Sequence, residues 1–479
     1  MVGITSFGAY IPLLRLSRKS IVDADAWLDP GLASRGKGER AMANWDEDPV
    51  TMAVEAVRDC ISTSSKPVDA LFLATTSTPF LDRQHAGIVN TALQLGEETA
   101  VLDVTSSQRA GTSALLQALA AAQGDMYQNI LVVAADKRQA QAVSPQMFNI
   151  GDGAAAVSVG QEDVLLNYLG GASMTVDFID HYKAKNHEFD FTWEERWIRD
   201  EGYLKIVPAA IESALKKTAL EASAIDHFIM PGTIGRVQSM VAKKAGIAAE
   251  TIADNLHANC GETGTAHPLV MLLNTIEGEV SAGQKVMLVG FGQGADVLIF
   301  EITDKLAKRT PARGVRGSLA RRRTETNYQK LLAFNDLIKV NKGMRADIDN
   351  PTALSVAYRN RNMLLGLMGG RCPSCDTPQF PAEGVCVHCH HTGGLEPYSF
   401  REEPANVLTW SADYLTYIPN PPSHYGMIEF KNGGRFITDI SDVLPGEVEV
   451  GMPVRMVFRV KSIDPKRGFV NYFWKAVPE

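Results

Sequence analysis

The sequence predicts an α/β body over residues 1–304, followed by a zinc ribbon and a small β-barrel. Three observations predict this arrangement. Short apolar runs alternate with helical stretches through the body, which is the pattern of a sheet covered by helices. Two C-x-x-C pairs lie close together further along the chain, as in a tetrahedral zinc site. Several short β-rich segments separated by turns follow them, as in a barrel of the OB-fold kind.

The body contains three apolar runs that we predict to be buried strands, Val68–Ala74, Asn129–Ala135 and Lys285–Gly290. The Ala- and Leu-rich stretch Thr112–Ala122 predicts a helix between the first two. The second and third runs each lead through a glycine turn into another apolar strand. This repeated pattern indicates internal duplication, although such pairs of strands also occur in unrelated α/β proteins.

Residues 305–325 differ in composition from the body. Basic side chains crowd this stretch, at Lys305, Lys308, Arg309, Arg313, Arg316 and Arg321–Arg323, together with Pro311. The composition predicts an exposed linker. The alternative is a patch that faces the phosphates of a nucleotide-tailed cofactor.

The four clustered cysteines predict a structural zinc ion bound by Cys372, Cys375, Cys386 and Cys389. Four protein ligands leave no open position for water, so a catalytic zinc is not expected. A pair of turns without metal is the alternative. A disulfide pair is less favoured, because nothing else in the sequence indicates an oxidising compartment.

Length and charge exclude several classes of protein. A chain of 479 residues is expected to form two or three domains. The net charge of -8 argues against general nucleic-acid binding. No apolar run reaches membrane-spanning length, and the first residues lack the pattern of a signal peptide. We therefore expect a cytoplasmic protein without a membrane or nucleic-acid partner.

Five stretches of the body carry a resemblance to a known family. They are Gly3–Pro12, Asn44–Ala53, Arg109–Thr112, Gly151–Ala156 and Gly290–Ala295. Together they resemble thiolase-superfamily condensing enzymes of the 3-hydroxy-3-methylglutaryl-CoA synthase and ketoacyl-synthase III type. The tail resembles the zinc-ribbon OB-fold proteins that accompany such enzymes. The resemblance implies a five-layered αβαβα body of two similar halves, usually dimeric, that uses CoA thioesters.

The resemblance also suggests domain boundaries. We expect a thiolase-fold N-terminal half over 1–165, a C-terminal half over 166–304, a basic linker and helical segment over 305–365, a zinc ribbon over 366–395 and an OB-fold over 396–479. A homodimer formed through the thiolase-fold body is expected, with coenzyme A as a substrate.

Gln108 occupies the place where the resembling enzymes carry a nucleophilic cysteine. That cysteine begins a buried helix, whose positive end stabilises a thiolate. Glutamine cannot form a thioester, so its amide is expected to position a thioester carbonyl, and related decarboxylating ketosynthases carry a glutamine there. An unused position in an inactive paralogue is the alternative. Ser106 or Ser107 as nucleophile is less favoured, since both suit helix N-capping.

Two acid–base residues of the resembling synthases have no counterpart in this sequence. Their early glutamate falls near Thr76, and its absence weakens 3-hydroxy-3-methylglutaryl-CoA synthesis itself. Their first histidine falls at Ile229 or Met230, with His227 displaced to what we expect to be a strand edge.

A glycine-rich loop in the second half carries replacement candidates. Thiolases have a Gly-His-Pro stretch in this region, and ketosynthase III enzymes have an asparagine near the place of Glu262. We predict His267 as general acid/base or oxyanion donor, Glu262 as a base or as the group that orients His267, and Cys260 as a relocated nucleophile. The alternatives are a turn-capping histidine, a solvated carboxylate and a small buried thiol. Cys60 lies in a helical pattern and is expected in the core.

An aromatic and charged insertion is expected to border the acyl group. Its residues His181, Trp193 and Trp197 are predicted to shape an aromatic or bulky acyl site, with a surface helix as the equal alternative. The residues that we expect to bind substrate or CoA are Ser107, Arg109, Gly292 and Trp197.

These observations together predict a CoA-dependent acyltransferase that makes or breaks a C–C bond next to a thioester or β-keto group. The chemistry is expected to be of the Claisen, retro-Claisen or decarboxylative kind. One alternative is condensation of the 3-hydroxy-3-methylglutaryl-CoA synthase type. The other is a non-catalytic scaffold that binds acyl-CoA.

Overall fold

The computed structural model describes residues 1–62, 66–309, 313–343 and 353–479. The chain forms two compact units. Unit 1 consists of Met1–Ala43, Met52–Gly87 and Glu97–Leu331, and unit 2 of Asn44–Thr51, Ile88–Gly96 and Leu332–Glu479. Pro311, which belongs to the basic stretch of the sequence, lies outside the described residues.

Strands and helices alternate through unit 1. Its strands are β1 Gly3–Tyr10, β2 Leu14–Ser17, β3 Glu39–Met42, β4 Ala70–Ala74, β5 Ala100–Val104, β6 Asn129–Asp136, β7 Gly153–Gly160, β8 Leu166–Thr175, β9 His181–Tyr182, β10 Phe191–Thr192, β11 His227–Ile229, β12 Lys285–Phe291, β13 Gly294–Ile302 and β14 Arg323–Glu325. The helices of the chain are α1 Arg18–Asp25, α2 Pro49–Ile61, α3 His85–Leu93, α4 Ala110–Gln123, α5 Pro145–Asn149, α6 Glu195–Trp197, α7 Val207–Thr218, α8 Val237–Ala245, α9 His267–Ile276, α10 Gly314–Ala320, α11 Tyr328–Phe334, α12 Leu354–Arg359 and α13 Arg361–Gly366. Short 3₁₀ turns include Gly264–Ala266 and Leu306–Lys308, and a π-helix spans Ile198–Ile206.

The main sheet of unit 1 contains two similar halves. Within the described residues its strand order is β11-β12-β13-β8-β1-β7-β6-β4-β5. The series β1-β7-β6-β4 pairs antiparallel, antiparallel and parallel, and the series β8-β13-β12-β11 repeats that pattern. The halves meet where β1 pairs with β8. The repeated pattern of apolar run, glycine turn and apolar strand in the sequence is therefore a structural repeat, because β6 and β7 correspond to β12 and β13.

Two buried helices, α4 and α9, supply much of the core of unit 1. The α9 helix is apolar on nearly every side, and eight of its side chains are buried. A helix with this composition is stable only inside the protein. The N-terminus of α4 lies against the turn before α9, since a Cβ atom on Gly111 would lie 2.2 Å from the carbonyl oxygen of Thr265. Only glycine fits there.

Much of the basic stretch is folded, which corrects the expectation of an exposed linker over the whole of it. The α10 helix begins at Gly314, and β14 pairs in parallel with β2. The Arg309 guanidinium donates to the Thr5 carbonyl at 2.7 Å and to Ser6 Oγ at 2.9 Å. The Arg313 backbone N–H donates to Asp59 Oδ1 at 2.9 Å. These two arginines therefore bind groups of unit 1.

Unit 2 contains a zinc-ribbon sheet and a β-barrel. The ribbon strands are β15 Met368–Arg371, β16 Pro378–Gln379 and β17 Glu396–Ser399, in the order β16-β15-β17. The barrel strands are β18 Ala405–Asp413, β19 Ser423–Phe430, β20 Arg435–Asp439, β21 Pro453–Asp464 and β22 Phe469–Pro478, in the order β20-β19-β18-β21-β22. Each β-rich segment expected from the sequence forms one of these barrel strands.

Unit 2 also buries a cluster of charged side chains. Lys475 Nζ lies 3.1 Å from Asp46 Oδ2 and 4.2 Å from the centre of the Trp45 ring. Arg459 pairs with Asp442 at 2.8 Å and also with Glu47. Buried charges are tolerated only when they are paired, so these contacts fix segment 44–51 within the unit.

The helices in the described parts of the chain are all too short or too polar to cross a membrane.

Candidate functional site

Gln108 lies in the turn between β5 and α4, at the carboxyl edge of the parallel strands β4, β5 and β6. This edge is where parallel α/β sheets place their functional loops. Ser106 in the same turn has a φ of 73°, an uncommon conformation for a side chain other than glycine. Gln108 itself is half-buried. Helix α4 begins two residues later, at Ala110, and eight of its residues are buried, so Gln108 lies just before the start of a largely buried helix.

The second half of unit 1 is bonded to the Gln108 turn through Gly292. Ser107 Oγ donates to the Gly292 carbonyl at 2.9 Å, and Arg109 Nε donates to the same oxygen at 3.0 Å. A Cβ atom on Gly292 would lie 2.8 Å from Ser107 Oγ and 3.1 Å from the Gln108 nitrogen. The structure thus brings Ser107, Arg109 and Gly292 together around Gln108. The Ser107 hydroxyl donates to a backbone carbonyl, which is not the bond of an activated nucleophile.

Arg109 is held by a buried carboxylate. Its Nη1 lies 2.7 Å from Asp296 Oδ1, and Asp296 also accepts from Thr112, Ser113 and Ser173. The guanidinium therefore joins α4 to β13 and β8. This arrangement suits a residue that positions the Gln108 turn, and direct CoA contact by Arg109 stays a prediction.

A second buried carboxylate, Asp136, holds the loop that contains Thr76. Its Oδ1 accepts from Thr75 Oγ1 at 3.0 Å and from Ser77 Oγ at 2.7 Å, and its Oδ2 accepts from the Thr265 N–H at 2.8 Å. Asp136 ends β6 and has no exposed surface. Sequence reasoning missed it, although an acidic residue at the carboxyl end of a buried strand is a recognisable signal.

Glu262 belongs to a buried charged cluster that the sequence did not reveal. Its Oε2 lies 3.6 Å from Arg138 Nη1, and Arg138 also bonds Asp190. Burial raises the pKa of Glu262, while Arg138 is the strongest of the neighbours that oppose the shift. The Glu262 backbone is fixed by bonds to the backbone of Asn149 and Gly151. Glu262 is therefore not the solvated carboxylate of the alternative interpretation.

His267 is a structural histidine, which corrects its assignment as general acid/base or oxyanion donor. The ring has no exposed surface. Its Nδ1 accepts from the Thr263 N–H at 3.2 Å, and its Nε2 lies 2.9 Å from the Asn255 carbonyl oxygen. Those partners assign the proton to Nε2 and leave neither nitrogen for a substrate. Burial lowers the pKa of His267 to about 4, so the ring stays neutral.

Cys260 is a buried thiol, which corrects its assignment as a relocated nucleophile. Burial raises its pKa to about 12. Its Sγ lies 3.5 Å from the Leu256 carbonyl oxygen and 3.4 Å from that of Gly261. A thiol in this setting lacks the thiolate form that nucleophilic attack requires. Cys60 lies in the core with a pKa also raised by burial to about 12.

The aromatic insertion forms the hairpin of β9 and β10 and leads into a ring cluster. The Tyr203 ring stacks on Phe291 at 4.2 Å, and Phe178 stacks on Trp197 at 6.2 Å. Phe291 adjoins Gly292, so the cluster reaches the Gln108 turn. Trp197 and Trp193 are 48% and 53% exposed, and the acyl-binding role of both stays a prediction.

Two further histidines have contrasting surroundings. His227 begins β11 and bonds Gln284 through Nε2 at 3.1 Å, as expected for a strand-edge residue. His257 has a buried Nε2 without a hydrogen-bond partner among the described residues, and its ring lies 5.4 Å from that of His267. Burial lowers the pKa of His257 to about 3, with the carboxyl of Glu262 opposing that shift. Sequence reasoning did not single out His257.

The four cysteines of unit 2 form a metal-binding geometry. All four sulfur atoms lie within 4.8 Å of one another. Cys372 Sγ lies 3.6 Å from Cys389 Sγ, and Cys375 Sγ lies 3.6 Å from Cys386 Sγ. Four soft ligands around one point fit a tetrahedral structural zinc. Such a site has no open coordination position and supports the ribbon fold.

Three family models match the chain. The model for the C-terminal part of 3-oxoacyl-[acyl-carrier-protein] synthase III matches residues 215–299. The model for the rubredoxin-like zinc ribbon domain of ChsH2 matches residues 366–396. The model for the C-terminal OB-fold domain of ChsH2 matches residues 403–459. The ribbon match confirms the prediction of a structural zinc site.

Known proteins resemble 71% of the chain. A hydroxymethylglutaryl-CoA synthase of Caldivirga maquilingensis is 26% identical over 351 residues, which cover 71% of this chain and 99% of that protein. The corresponding synthase of Methanobrevibacter smithii is 24% identical over 349 residues, which cover 71% of this chain and 100% of that protein.

Solved structures show the same fold. An HMG-CoA synthase complexed with CoA has a TM-score of 0.61 at 17% identity and covers 73% of this chain and 95% of its own. The 3-oxoacyl-[acyl-carrier-protein] synthase III of Aquifex aeolicus has a TM-score of 0.55 at 19% identity. The match covers 63% of this chain and 100% of that protein.

These similarities confirm three expectations from the sequence. The fold is thiolase-like, with a C-terminal zinc ribbon and OB-fold domain. The resemblance to thiolase-like condensing enzymes holds. The expectation of an acyltransferase is confirmed at the level of that enzyme class.

Proposed function

We propose that this protein makes or breaks a C–C bond next to the thioester of an acyl-CoA substrate without forming an acyl-enzyme at the usual place. Similarity to condensing enzymes supports thiolase-like acyl-CoA chemistry. The observation that carries the finer proposal is Gln108 at the start of α4, with the buried carboxyl of Glu262 in the loop before α9. That loop packs on the same end of α4.

Gln108 is proposed to position the thioester. Its amide N–H groups can donate to a thioester oxygen, and the positive end of α4 adds to the stabilisation of negative charge there. The bonds of Ser107 and Arg109 to Gly292 fix the turn that carries Gln108. Such preorganised donors typically stabilise an enolate or oxyanion by a few kcal/mol, about 3 kcal/mol for one donor.

Glu262 is proposed as the group that moves a proton at the α-carbon. Because burial raises its pKa, the carboxyl exchanges protons more readily near neutral pH than a solvated glutamate does. Arg138 stabilises the carboxylate form and keeps the group in place. His267 and Cys260 take no part in this scheme.

β-Keto cleavage or condensation is preferred to 3-hydroxy-3-methylglutaryl-CoA synthesis. The synthase relatives favour a condensing reaction in general. The place near Thr76 carries no carboxylate, and the adjacent Asp136 is occupied by bonds to the loops. The structurally similar HMG-CoA synthase was solved with bound CoA, which supports CoA as the carrier of the acyl group.

We further propose a cytoplasmic homodimer. Edge strand β5 exposes Leu102, at 44%, which is unusual for a strand that ends a largely buried sheet. A second copy of the chain would cover such an edge. Light scattering of the purified protein measures the oligomeric state directly, and a monomer at working concentration would contradict the proposal.

The experiment that tests the proposed reaction uses purified protein with CoA and a panel of β-keto acids and β-ketoacyl-CoAs. We expect thioester to be made or consumed, and no acyl group on the protein by mass spectrometry. Glu262→Gln is expected to lower turnover by about 100-fold, as for loss of an acid–base group. Gln108→Ala is expected to do the same.

Gln117→Ala provides the matched control, because Gln117 is an exposed glutamine on the same helix. It should turn over substrate like the wild type. If the wild-type protein neither makes nor consumes a thioester with any member of the panel, the proposed enzymatic function is wrong. The alternative of a non-catalytic scaffold that binds acyl-CoA is then favoured.

A further inference from the structure

A carboxylate–histidine pair lies on the hairpin of β9 and β10. His181 Nδ1 is 2.9 Å from Asp180 Oδ2. Their side chains are 21% and 14% exposed, so the pair is sheltered but reachable. A carboxylate bonded to one ring nitrogen orients the imidazole and leaves the other nitrogen for proton transfer.

Arg138 ties this hairpin to the loop of Glu262. His181 pairs with Thr192 across the hairpin, and Asp190 lies two residues before Thr192. Asp190 binds the same guanidinium that lies 3.6 Å from Glu262. Gln146 fixes the hairpin further by donating to Thr192 Oγ1 at 2.7 Å. The hairpin that carries His181 and the loop that carries Glu262 are therefore both bound by one half-buried guanidinium.

The electrostatics of the region are consistent with this placement. Glu262 has a pKa raised by burial, and His181 is among the groups that oppose the rise, after Arg138 and His257. Burial raises the pKa of Tyr203, and the charges of Asp180 and Glu262 add to that shift. Asp180, His181, Tyr203 and Glu262 thus share one electrostatic environment.

One buried oxygen of the Asp180–His181 pair accepts no hydrogen bond from the described residues. Asp180 Oδ1 has no hydrogen-bond partner among the described residues, although it is shielded from solvent. A buried carboxylate oxygen without a donor is costly, which indicates a place where a substrate group or a bound water donates. This orphaned oxygen is independent of the His181 contact.

We propose that His181, oriented by Asp180, is a second catalytic acid–base residue that works together with Glu262 on one substrate. This inference rests on the proposed function and deepens it. The reaction requires two proton transfers at different atoms, the CoA sulfur and the α-carbon, and Glu262 is assigned to the second of them.

The two residues divide the steps of β-ketoacyl-CoA cleavage. His181 takes the proton of the CoA thiol as the sulfur attacks the β-keto carbon, which forms a C–S bond and a tetrahedral oxyanion. The oxyanion collapses, the bond between the α- and β-carbons breaks, and its electron pair forms an enolate held by Gln108. Protonated Glu262 gives its proton to the α-carbon. The proton that His181 took from the thiol then passes to Glu262, which restores both residues to their starting protonation states, and condensation follows the same steps in reverse.

The test separates the two proton transfers. Cleavage of a β-ketoacyl-CoA by CoA requires both residues, whereas exchange of the α-protons of an acyl-CoA in D₂O requires Glu262 alone. We expect His181→Asn to lower kcat for cleavage by about 100-fold and to retain exchange. Glu262→Gln is expected to lose both. His187→Asn, an exposed histidine of the same hairpin segment, should match the wild type in both assays.

Asp180→Asn is the second variant, because it keeps the side-chain shape and removes the carboxylate. Reduced cleavage with retained exchange in His181→Asn supports the inference, the same result in Asp180→Asn supports the orienting role of Asp180, and the retained exchange shows that the site is folded. Wild-type cleavage by His181→Asn overturns the inference alone, as does loss of both activities in both variants. A wild-type protein that is inactive in both assays overturns the proposed function, and this inference with it.

Discussion

The side chains around Gln108 owe their chemistry to their immediate surroundings. Glu262 lies in the loop before α9 and His267 begins that helix five residues later, yet the two side chains have different surroundings. Glu262 faces a guanidinium and a hairpin, with a pKa raised by burial. His267 has both ring nitrogens bound by the protein and a pKa lowered by burial. Of the two, we therefore propose only Glu262 as a group that exchanges a proton with a substrate.

At the residue scale, Cys260→Ala is expected to leave turnover unchanged. The thiol is buried, with its pKa raised to about 12, so it does not act as a nucleophile. Losing the buried sulfur should lower the free energy of unfolding by about 1 kcal/mol. The measurements are steady-state kinetics and urea unfolding. Cys60→Ala removes an equally buried thiol and is the control; an acylated Cys260 in mass spectra would contradict the prediction.

At the scale of single elements, helix α4 and the zinc ribbon are stabilised in different ways. The α4 helix presents Gln108 because its first turn is held by Gly292 and by the buried Asp296. The ribbon strands β15 to β17 are short and have little core of their own. Small modules of this kind take their stability from a bound metal.

At this scale, removing zinc is expected to unfold the ribbon first. A chelator, or Cys375→Ser, takes away ligands that hold the two knuckles together. We expect a lower melting temperature for a transition in unit 2 and an unchanged transition for unit 1. Zinc content and calorimetry measure this directly. Simultaneous loss of both transitions at one temperature would contradict independent stabilisation of the ribbon.

At the scale of the whole molecule, the two units depend on different interactions. Unit 1 is held by an apolar core that runs through both halves of its sheet. Unit 2 contains the buried pairs of Asp46, Lys475, Arg459 and Asp442. Burial by itself raises the pKa of Asp46, but Lys475, Arg459 and Ser441 together bring it below its ordinary value of 3.8.

This difference predicts how stability changes with pH. A carboxyl whose pKa is lowered in the folded state stabilises that state above its unfolded pKa, and the contribution is lost as the pH falls through the folded value. Asp46→Asn should therefore lower the free energy of unfolding of unit 2 at neutral pH, by about 3 kcal/mol, because it leaves buried cations unpaired. The difference in free energy of unfolding between Asp46→Asn and the wild type should become smaller below pH 3.8.

Urea unfolding of both proteins across this pH range measures the effect. Asp163→Asn is the control, since Asp163 is an exposed aspartate paired with lysines at the surface of unit 1. A constant difference between Asp46→Asn and the wild type at all pH values would contradict the assigned ion pairs.

Local patterns in the sequence determined the elements of this protein. Apolar runs located β4, β6 and β12, since a buried strand must be apolar wherever it lies. Cysteine spacing located the zinc site, because the ligands of each knuckle are neighbours in the chain. The glutamine at 108 was visible from the sequence as well, and its consequence for covalent catalysis stays a prediction.

Only the tertiary structure decided which side chains meet. Arg138, Asp190 and Glu262 are far apart in sequence, and the topology of the sheet and hairpin brings them together. Burial of His267 and Cys260, and the folding of the basic stretch onto unit 1, likewise depend on what packs around them. Spacing and periodicity carry information about neighbours along the chain. The pKa of a catalytic group depends instead on its neighbours in space.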